Sequence, residues 1–145
     1  MKIDGIVVSA ICYSTENPEK VARAIETLVP FEFEFEMSKA TGHYGNPIEF
    51  FEVELRKKRE IREFWNHFIS ALGEEKEILL EFLDELIDED GVLHLRIDKQ
   101  SSYLGKVEMS TGGDSVMVRV KLVTYPFKRE KILEFARKII VEGYD

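Results

Sequence analysis

The sequence has only one cysteine, four prolines, one glutamine and three asparagines in 145 residues. Cys12 alone cannot form an internal disulfide or supply a cysteine-based zinc cluster, so we expect a reducing, cytoplasmic location. No apolar run approaches the roughly 20 residues of a membrane-spanning helix, and the first residues lack the pattern of a secretory signal. The shortage of Asn and Gln beside abundant Glu and Lys is typical of hyperthermophile proteins.

Acidic residues outnumber basic ones, with 28 Asp and Glu against 20 Lys and Arg, but the excess is local. Residues 74–90, which we call the acidic segment, contain nine acids and one lysine. The rest of the chain is therefore electrically balanced. The simplest interpretation of the acidic segment is a solvated helix face, and the alternative is a docking surface for a basic protein partner.

Apolar periodicity predicts an α+β fold with the element order β-α-β-β-α-α-β-β-β-α. Alternation with period two predicts strands, most clearly at Phe31–Met37, and an apolar stripe of helical spacing predicts a helix over 58–72. The other predicted strands are 3–13, 48–55, 92–98, 106–110 and 116–123, and the other predicted helices are 18–29, about 78–87 and about 132–140. Hairpin connections predict a largely antiparallel sheet with helices on one face, a two-layer sandwich forming a single domain over 1–145.

A basic run follows the predicted strand 48–55 and opens the next helix. It consists of Arg56, Lys57, Lys58, Arg59 and Arg62. One interpretation is ordinary solubility, and the other is a patch that contacts phosphate groups. Further bases (His94, Arg96, Arg119, Lys121) alternate out of predicted strands opposite Glu32, Glu34, Glu36, Glu52 and Glu54, which predicts cross-strand charge pairing.

The segment Gly42-His43-Tyr44-Gly45-Asn46-Pro47, which we call the glycine loop, has turn chemistry throughout. Its histidine and tyrosine can stack on a base or contact a sugar, and Asn46 offers both donors and an acceptor. The alternative is a plain turn in which Tyr44 covers a core edge. The pattern leaves both interpretations open.

Motifs of catalysis are missing from the sequence: a Gly-rich phosphate loop, a Gly-x-Ser-x-Gly elbow and a His-Glu-x-x-His zinc helix. Cys12 lies in an apolar strand, where a small buried residue is expected rather than a nucleophile. His43 and His94 show no spacing typical of metal ligands. We therefore expect no catalytic residues, no metal site, no cofactor and no enzymatic activity.

Several segments together resemble a family of small archaeal RNA-binding-domain proteins that are predicted exosome subunits. They are the glycine loop, Glu52-x-x-x-Arg-Lys-Lys-Arg-Glu-Ile, Leu93-His-Leu-Arg-Ile-Asp-Lys-Gln100, Tyr103-Leu-Gly105, Tyr125-Pro126 and Lys128-Arg129. The family is similar in fold to the ribosomal protein that binds 5S rRNA, an antiparallel sheet with helices on one side. The resemblance implies RNA as the partner and carries over no catalytic residues.

We therefore predict a non-catalytic protein that contacts structured RNA through a basic patch and two loops, in a setting of archaeal RNA processing. The residues predicted to contact RNA are His43, Tyr44, Asn46, Arg56, Lys57, Lys58, Arg59, Arg62, Arg96, Lys99, Gln100 and Lys106. The alternative is a protein-interaction or assembly module of an RNA-processing complex without direct RNA contact. The RNA interpretation requires the acidic segment to lie away from the bases, because it would otherwise cancel their attraction for phosphate.

Overall fold

A computed structural model describes all 145 residues of the protein. The strands are β1 (Lys2–Tyr13), β2 (Glu36–Thr41), β3 (Pro47–Leu55), β4 (Val92–Asp98) and β5 (Ser115–Val123). The helices are α1 (Pro18–Leu28), α2 (Lys58–Leu72), α3 (Lys76–Glu81), α4 (Leu83–Leu86), α5 (Lys99–Tyr103) and α6 (Arg129–Glu142), with a 3-10 turn at Gly73–Glu75. None of these helices is long and apolar enough to cross a membrane.

The five strands form one antiparallel sheet in the order β2-β3-β1-β5-β4. The long strand β1 lies at its centre, where Ile6 pairs with Leu55 on one side and with Val120 on the other. Inward side chains alternate with outward ones along each of the three central strands, so one face carries the apolar residues and the helices cover it. The predicted α+β two-layer architecture is confirmed.

The core between the two layers is a continuous cluster of 35 buried hydrophobic residues. Helix α2 contributes the complete apolar stripe that its sequence predicts: Ile61, Phe64, Trp65, Phe68, Ile69 and Leu72. The indole Nε1–H of Trp65 donates to the carbonyl oxygen of Ile139 at 2.8 Å, which ties α2 to α6. This hydrogen bond matters because a buried indole N–H without a partner would cost stability.

The prediction of a strand over Phe31–Met37 is wrong for most of its length, because β2 begins only at Glu36. Residues 31–35 have no regular structure, yet Phe31, Phe33 and Phe35 are half-buried against the core and the glutamates between them are exposed. The rings of Phe35 and Phe51 lie 5.6 Å apart. The alternation of Phe and Glu therefore predicted correctly which side chains face the core. It could not show that residues 31–35 have no neighbouring strand to pair with.

Two further elements differ from prediction on the carboxyl-terminal side of β4. The predicted strand 106–110 is reduced to a single bridge between Ile97 and Met109. Residues 99–103, for which no regular structure is predicted, form helix α5, whose first turn is capped by Asp98 through the N–H of Ser101 at 2.9 Å. Before β4, the predicted helix over about 78–87 is divided at Phe82 into α3 and α4. The observed order is thus β-α-β-β-α-α-α-β-α-β-α.

Candidate functional site

Strand β3 separates the two most specific features of the sequence. The glycine loop precedes Pro47 and the basic run follows Leu55, so they lie at opposite ends of the strand. A strand rises about 3.4 Å per residue, which places these ends roughly 27 Å apart. The twelve predicted RNA-contacting residues therefore do not form one patch. They fall into a basic end, a loop end, one residue on the open face of the sheet and two residues that belong to none of these groups, Lys99 and Lys106.

The basic end, which we call the basic junction, consists of Arg56, Lys57, Lys58, Arg59 and Arg62, and all five side chains are exposed. Arg56 pairs with Glu54 at 2.5 Å, and Arg59 pairs with Glu63 at 3.7 Å. The other three bases have no ion pair or side-chain hydrogen bond, so their charge is available to an external anion. Leu55 and Ile61 are buried and fix this stretch of chain to the core, while the five basic side chains project into solvent.

The position of these bases on α2 is unfavourable for the helix itself. Lys58 and Arg59 occupy its first turn, where the partial positive charge of the helix amino terminus repels cations. The preceding Lys57 provides no side-chain cap. Glu60 is the single acid in that turn. Apart from the Arg59–Glu63 pair, the bases of this turn therefore do not stabilise the start of the helix.

The glycine loop presents an aromatic pair to solvent. Tyr44 is 91% exposed, and its ring meets that of His43 edge to face with centroids 4.8 Å apart. The loop is closed by a hydrogen bond from the N–H of Gly42 to the carbonyl oxygen of Asn46 at 2.6 Å, with Gly45 at a φ of 79°. A Cβ at position 42 would lie 2.7 Å from the Asn46 amide oxygen, so a larger residue there would force the Asn46 side chain to turn away. Tyr44 covers no core edge, contrary to the plain-turn interpretation.

Gln100 lies at the same end of the sheet as the glycine loop, whereas Lys106 lies beside α1 and α2, in a hollow that Thr27, His67 and Ala71 also line, and both are exposed. They follow β4, whereas the glycine loop precedes β3, and β1 and β5 lie between these strands. Three strand spacings correspond to about 14 Å. The two loops therefore share an end of the sheet without contacting each other. Arg96 projects from the open face of β4, is exposed, and makes no ion pair or side-chain hydrogen bond.

Lys99 does not belong to any exposed patch, contrary to its predicted role. Only 7% of the residue is exposed, and its Nζ donates to the carbonyl oxygen of Ile11 at 2.6 Å, to Glu16 at 2.9 Å and to Asp114 at 2.8 Å. Burial opposes its charge, but the hydrogen bonds to Asp114 and Glu16 outweigh burial and raise the pKa of the ammonium group. Lys99 therefore ties α5 to the end of β1 and the start of β5.

His94 is likewise engaged within the protein. Its Nε2 lies 2.8 Å from a carboxylate oxygen of Asp88, and the other oxygen of Asp88 accepts the N–H groups of Asp90 and Val92. The hydrogen bond with His94, followed by the Val92 N–H, lowers the pKa of Asp88. His43 lies in the glycine loop, across the sheet from this pair. No group of three or more His, Cys, Asp or Glu side chains is placed to hold a metal ion.

The acidic segment is held by α6 and by the edge strand β4. Helices α3 and α4 pack against α6, and α4 also contacts the edge strand β4. Its carboxylates pair with Arg129, through Asp84 at 3.0 Å, and with His94 through Asp88. No ion pair or hydrogen bond joins it to the basic junction. The two charged regions therefore do not pair directly, although Lys121, which donates a hydrogen bond to the carbonyl oxygen of Asp90, borders the same hollow as Arg56.

The open face of the sheet carries a feature that the sequence analysis missed. A hollow of about 550 Å³ lies near the loop end, lined mainly by Ser9, Ile11, Tyr13, Phe50, Arg96, Asp114 and Met117. Tyr13 is 40% exposed and Phe50 36%. The sequence did contain an indication of this hollow. Tyr13 and Phe50 are aromatic residues at positions where the alternation of β1 and β3 places the side chain on the outward, polar face. On the same face, Arg119 reaches Glu52 at 3.8 Å, one of the predicted charge pairings.

Comparison with known proteins identifies the relatives of this chain. The model of a protein family described as RNA binding matches residues 5–122. The chain belongs to this RNA-binding family. The match includes the glycine loop, the basic junction and the open sheet face, and it ends within β5.

Archaeal relatives extend the similarity over nearly the whole chain. RNA-binding protein PAB1135 of Pyrococcus abyssi is 36% identical over 151 residues, covering 100% of this chain and 97% of the relative. The crystal structure of protein AF2318 from Archaeoglobus fulgidus has 56% identity and a TM-score of 0.91, with 95% and 99% coverage. Mth689 of Methanothermobacter thermautotrophicus has 34% identity and a TM-score of 0.80, with 95% and 98% coverage. None of these names denotes an enzyme.

Proposed function

We propose that the protein binds structured RNA in the cytoplasm of an archaeon, without catalysing a reaction, and that the basic junction is its principal contact with phosphate groups. The observation that carries this proposal is the exposed cluster of bases at the start of α2, three of them without a carboxylate partner, in a chain of the RNA-binding family. The resemblance to predicted exosome subunits leads us to propose RNA processing as the setting.

Recognition through the basic junction would depend on the shape and charge of the RNA. Double-stranded RNA presents phosphates and 2′-hydroxyls along a wide, shallow minor groove, and its deep major groove is closed to side chains. Lys57, Lys58 and Arg62 can each approach a phosphate without first breaking an internal ion pair. Because the acidic segment lies elsewhere, the net charge of −8 does not describe the field at this surface.

The loop end provides a second contact on the same RNA. Tyr44 and His43 present ring faces and edges that can stack on an unpaired base or meet a ribose. Asn46 and Gln100 add hydrogen-bonding groups at that end of the sheet. An RNA that reaches both regions would extend along β3, since β3 joins them.

Charge reversal at the basic junction tests the proposal. Binding of a labelled RNA hairpin is measured by fluorescence anisotropy at about 50 and about 200 mM salt. The double variant Lys57→Glu/Arg59→Glu should bind more weakly and reduce the salt slope by roughly one unit for each lost phosphate contact. Lys131→Glu/Arg137→Glu, which makes the same charge change on α6, should have a much smaller effect. Unchanged affinity and slope in the first variant would remove the junction from the binding site.

A second candidate function is docking of a basic protein partner on the acidic segment. This segment exposes Ile78 and Phe82, at 39% and 47%, among its carboxylates. Such a mixed apolar and acidic surface fits the assembly role given above as an alternative. Co-purification from a cell extract before and after nuclease treatment distinguishes the two functions, because a direct protein complex survives the nuclease and an RNA-bridged one does not.

A further inference from the structure

We propose that the hollow on the open face of the sheet binds an unpaired base of single-stranded RNA, which stacks on Phe50 and Tyr13 while Arg96 contacts the adjoining phosphate. This inference rests on the proposed function, which makes RNA the ligand. It assigns a separate site, on the opposite side of the sheet from the helices, to a part of the RNA that is not paired.

Strand register brings the two aromatic residues together. Ile11 of β1 pairs with Phe50 of β3, and Tyr13 pairs with Ile48, so Tyr13 and Phe50 are diagonal neighbours on one face. Diagonal residues on neighbouring strands are close enough for aromatic side chains to form a common surface. No helix covers this face. The two rings are therefore available to a flat ligand.

The floor of the hollow suits the face of a base. Half-buried Ile11 and Met117 lie between the aromatic pair and Arg96, and the volume is about 550 Å³. Base–aromatic stacking tolerates any sequence, because every base has a π-face, and aromatic residues on an open sheet are a common platform for single-stranded RNA. A paired base cannot reach such a surface, since its faces are covered by its neighbours in the duplex.

A positive side chain borders the hollow. Arg96 is exposed and makes no ion pair, and Asp114 and Glu52 have partners of their own, Lys99 at 2.8 Å and Arg119 at 3.8 Å. Arg96 also lines a second hollow, which contains Glu85 and Asp88. A phosphate would neutralise Arg96, whereas an apolar protein surface placed there would remove water from it without compensation.

The hollow lies at the same end of the sheet as the glycine loop. Ile48 pairs with Tyr13, and the loop begins on the other side of Pro47, at the same end of the sheet. A single strand that leaves the loop at Tyr44 could therefore cross Tyr13 and Phe50 and end at Arg96. The basic junction, at the other end of β3, takes no part in this path.

Binding of fluorescein-labelled decauridylate, measured beside a blunt RNA duplex, tests the inference. Phe50→Ala and Arg96→Ala should each weaken decauridylate binding roughly fivefold or more and leave duplex binding unchanged. Phe50→Trp should retain binding. The matched controls are Phe82→Ala and Arg137→Ala, which remove an exposed aromatic residue and an exposed, unpaired arginine elsewhere, and they should bind decauridylate like the unaltered protein.

The results separate this inference from the proposed function. If the unaltered protein binds duplex but not decauridylate, or if Phe50→Ala and Arg96→Ala both bind decauridylate normally, the inference is overturned while the basic junction remains the proposed site. A dimer that Phe50→Ala converts to a monomer in sedimentation would also overturn it, since a second copy would then occupy the face. If Phe50→Ala does not fold, Arg96→Ala alone tests the inference, because Arg96 is exposed and its removal should not disturb folding.

Discussion

Asn46 and Arg56 stand at the two ends of the same strand, one closing the glycine loop and the other opening the basic junction. They are close neighbours in sequence, but the extended backbone between them holds them roughly 30 Å apart. The two groups of predicted contacts cannot act on one nucleotide. Under the proposed function they contact different parts of an RNA, and this separation has a measurable consequence.

Tyr44→Ala and Lys57→Glu should weaken binding of an RNA hairpin independently of each other. Sites this far apart, without shared partners, have coupling energies below about 0.5 kcal/mol. The double variant should therefore lose affinity by the product of the two single losses, measured by anisotropy. Tyr44→Ala should also leave the free energy of unfolding within about 0.5 kcal/mol of the original, because its side chain is exposed. A strongly non-additive double variant would mean that the two ends are linked.

Lys99→Met should destabilise the protein by about 2 kcal/mol, because hydrogen bonds to charged groups contribute roughly that amount and two carboxylates would lose their partner. The measurement is urea denaturation followed by circular dichroism. Lys106→Met serves as the control, since its side chain is exposed and unpaired, and it should unfold like the original protein. If Lys99→Met proved as stable as Lys106→Met, the buried ammonium would have no structural role.

The Asp88–His94 pair should make part of the stability dependent on pH in the acid range. The pKa of Asp88 is lowered in the folded state from its ordinary value of 3.8, so the unfolded chain takes up this proton first as pH falls. The stabilisation is thus present above pH 3.8 and is lost as pH falls through the folded-state value.

Asp88→Asn isolates this effect, since the amide oxygen can still accept the N–H groups of Asp90 and Val92. The variant should be less stable than the original protein at about pH 5, and the difference should shrink towards about pH 2.5. Asp90→Asn is the control, because the Asp90 side chain makes no hydrogen bond or ion pair. A difference between Asp88→Asn and the original that stays constant with pH would contradict the prediction.

Trp65→Phe should lower the free energy of unfolding by about 2 kcal/mol through a lost hydrogen bond and a small cavity. The indole is fully buried, and without it the carbonyl oxygen of Ile139 loses its side-chain partner. Thermal unfolding followed by circular dichroism provides the measurement, since Trp65 is the one tryptophan and its fluorescence is lost. Phe82→Leu, at an exposed position, should unfold at the original temperature; equal stability of the two variants would show that the α2–α6 contact is weak.

A structural feature can be predicted from sequence when a local pattern of residues is enough to produce it. The stripe from Ile61 to Leu72 predicted both helix α2 and its buried face, because helical spacing alone places those side chains on one side. Prediction failed at Phe31–Met37, where alternation is real but pairing depends on whether another strand lies alongside. It failed again at Lys99, since a basic residue in sequence gives no sign of two carboxylates brought to it from Glu16 and Asp114.

The amino-acid sequence by itself determined the α+β class, the inward faces of the central strands and helices, and the confinement of the acidic excess to residues 74–90. These properties follow from spacing along the chain. Only the tertiary structure decided that Lys99 is buried and that Tyr13, Phe50 and Arg96 border one hollow. Each of these depends on strand order and register, which bring together residues from distant segments.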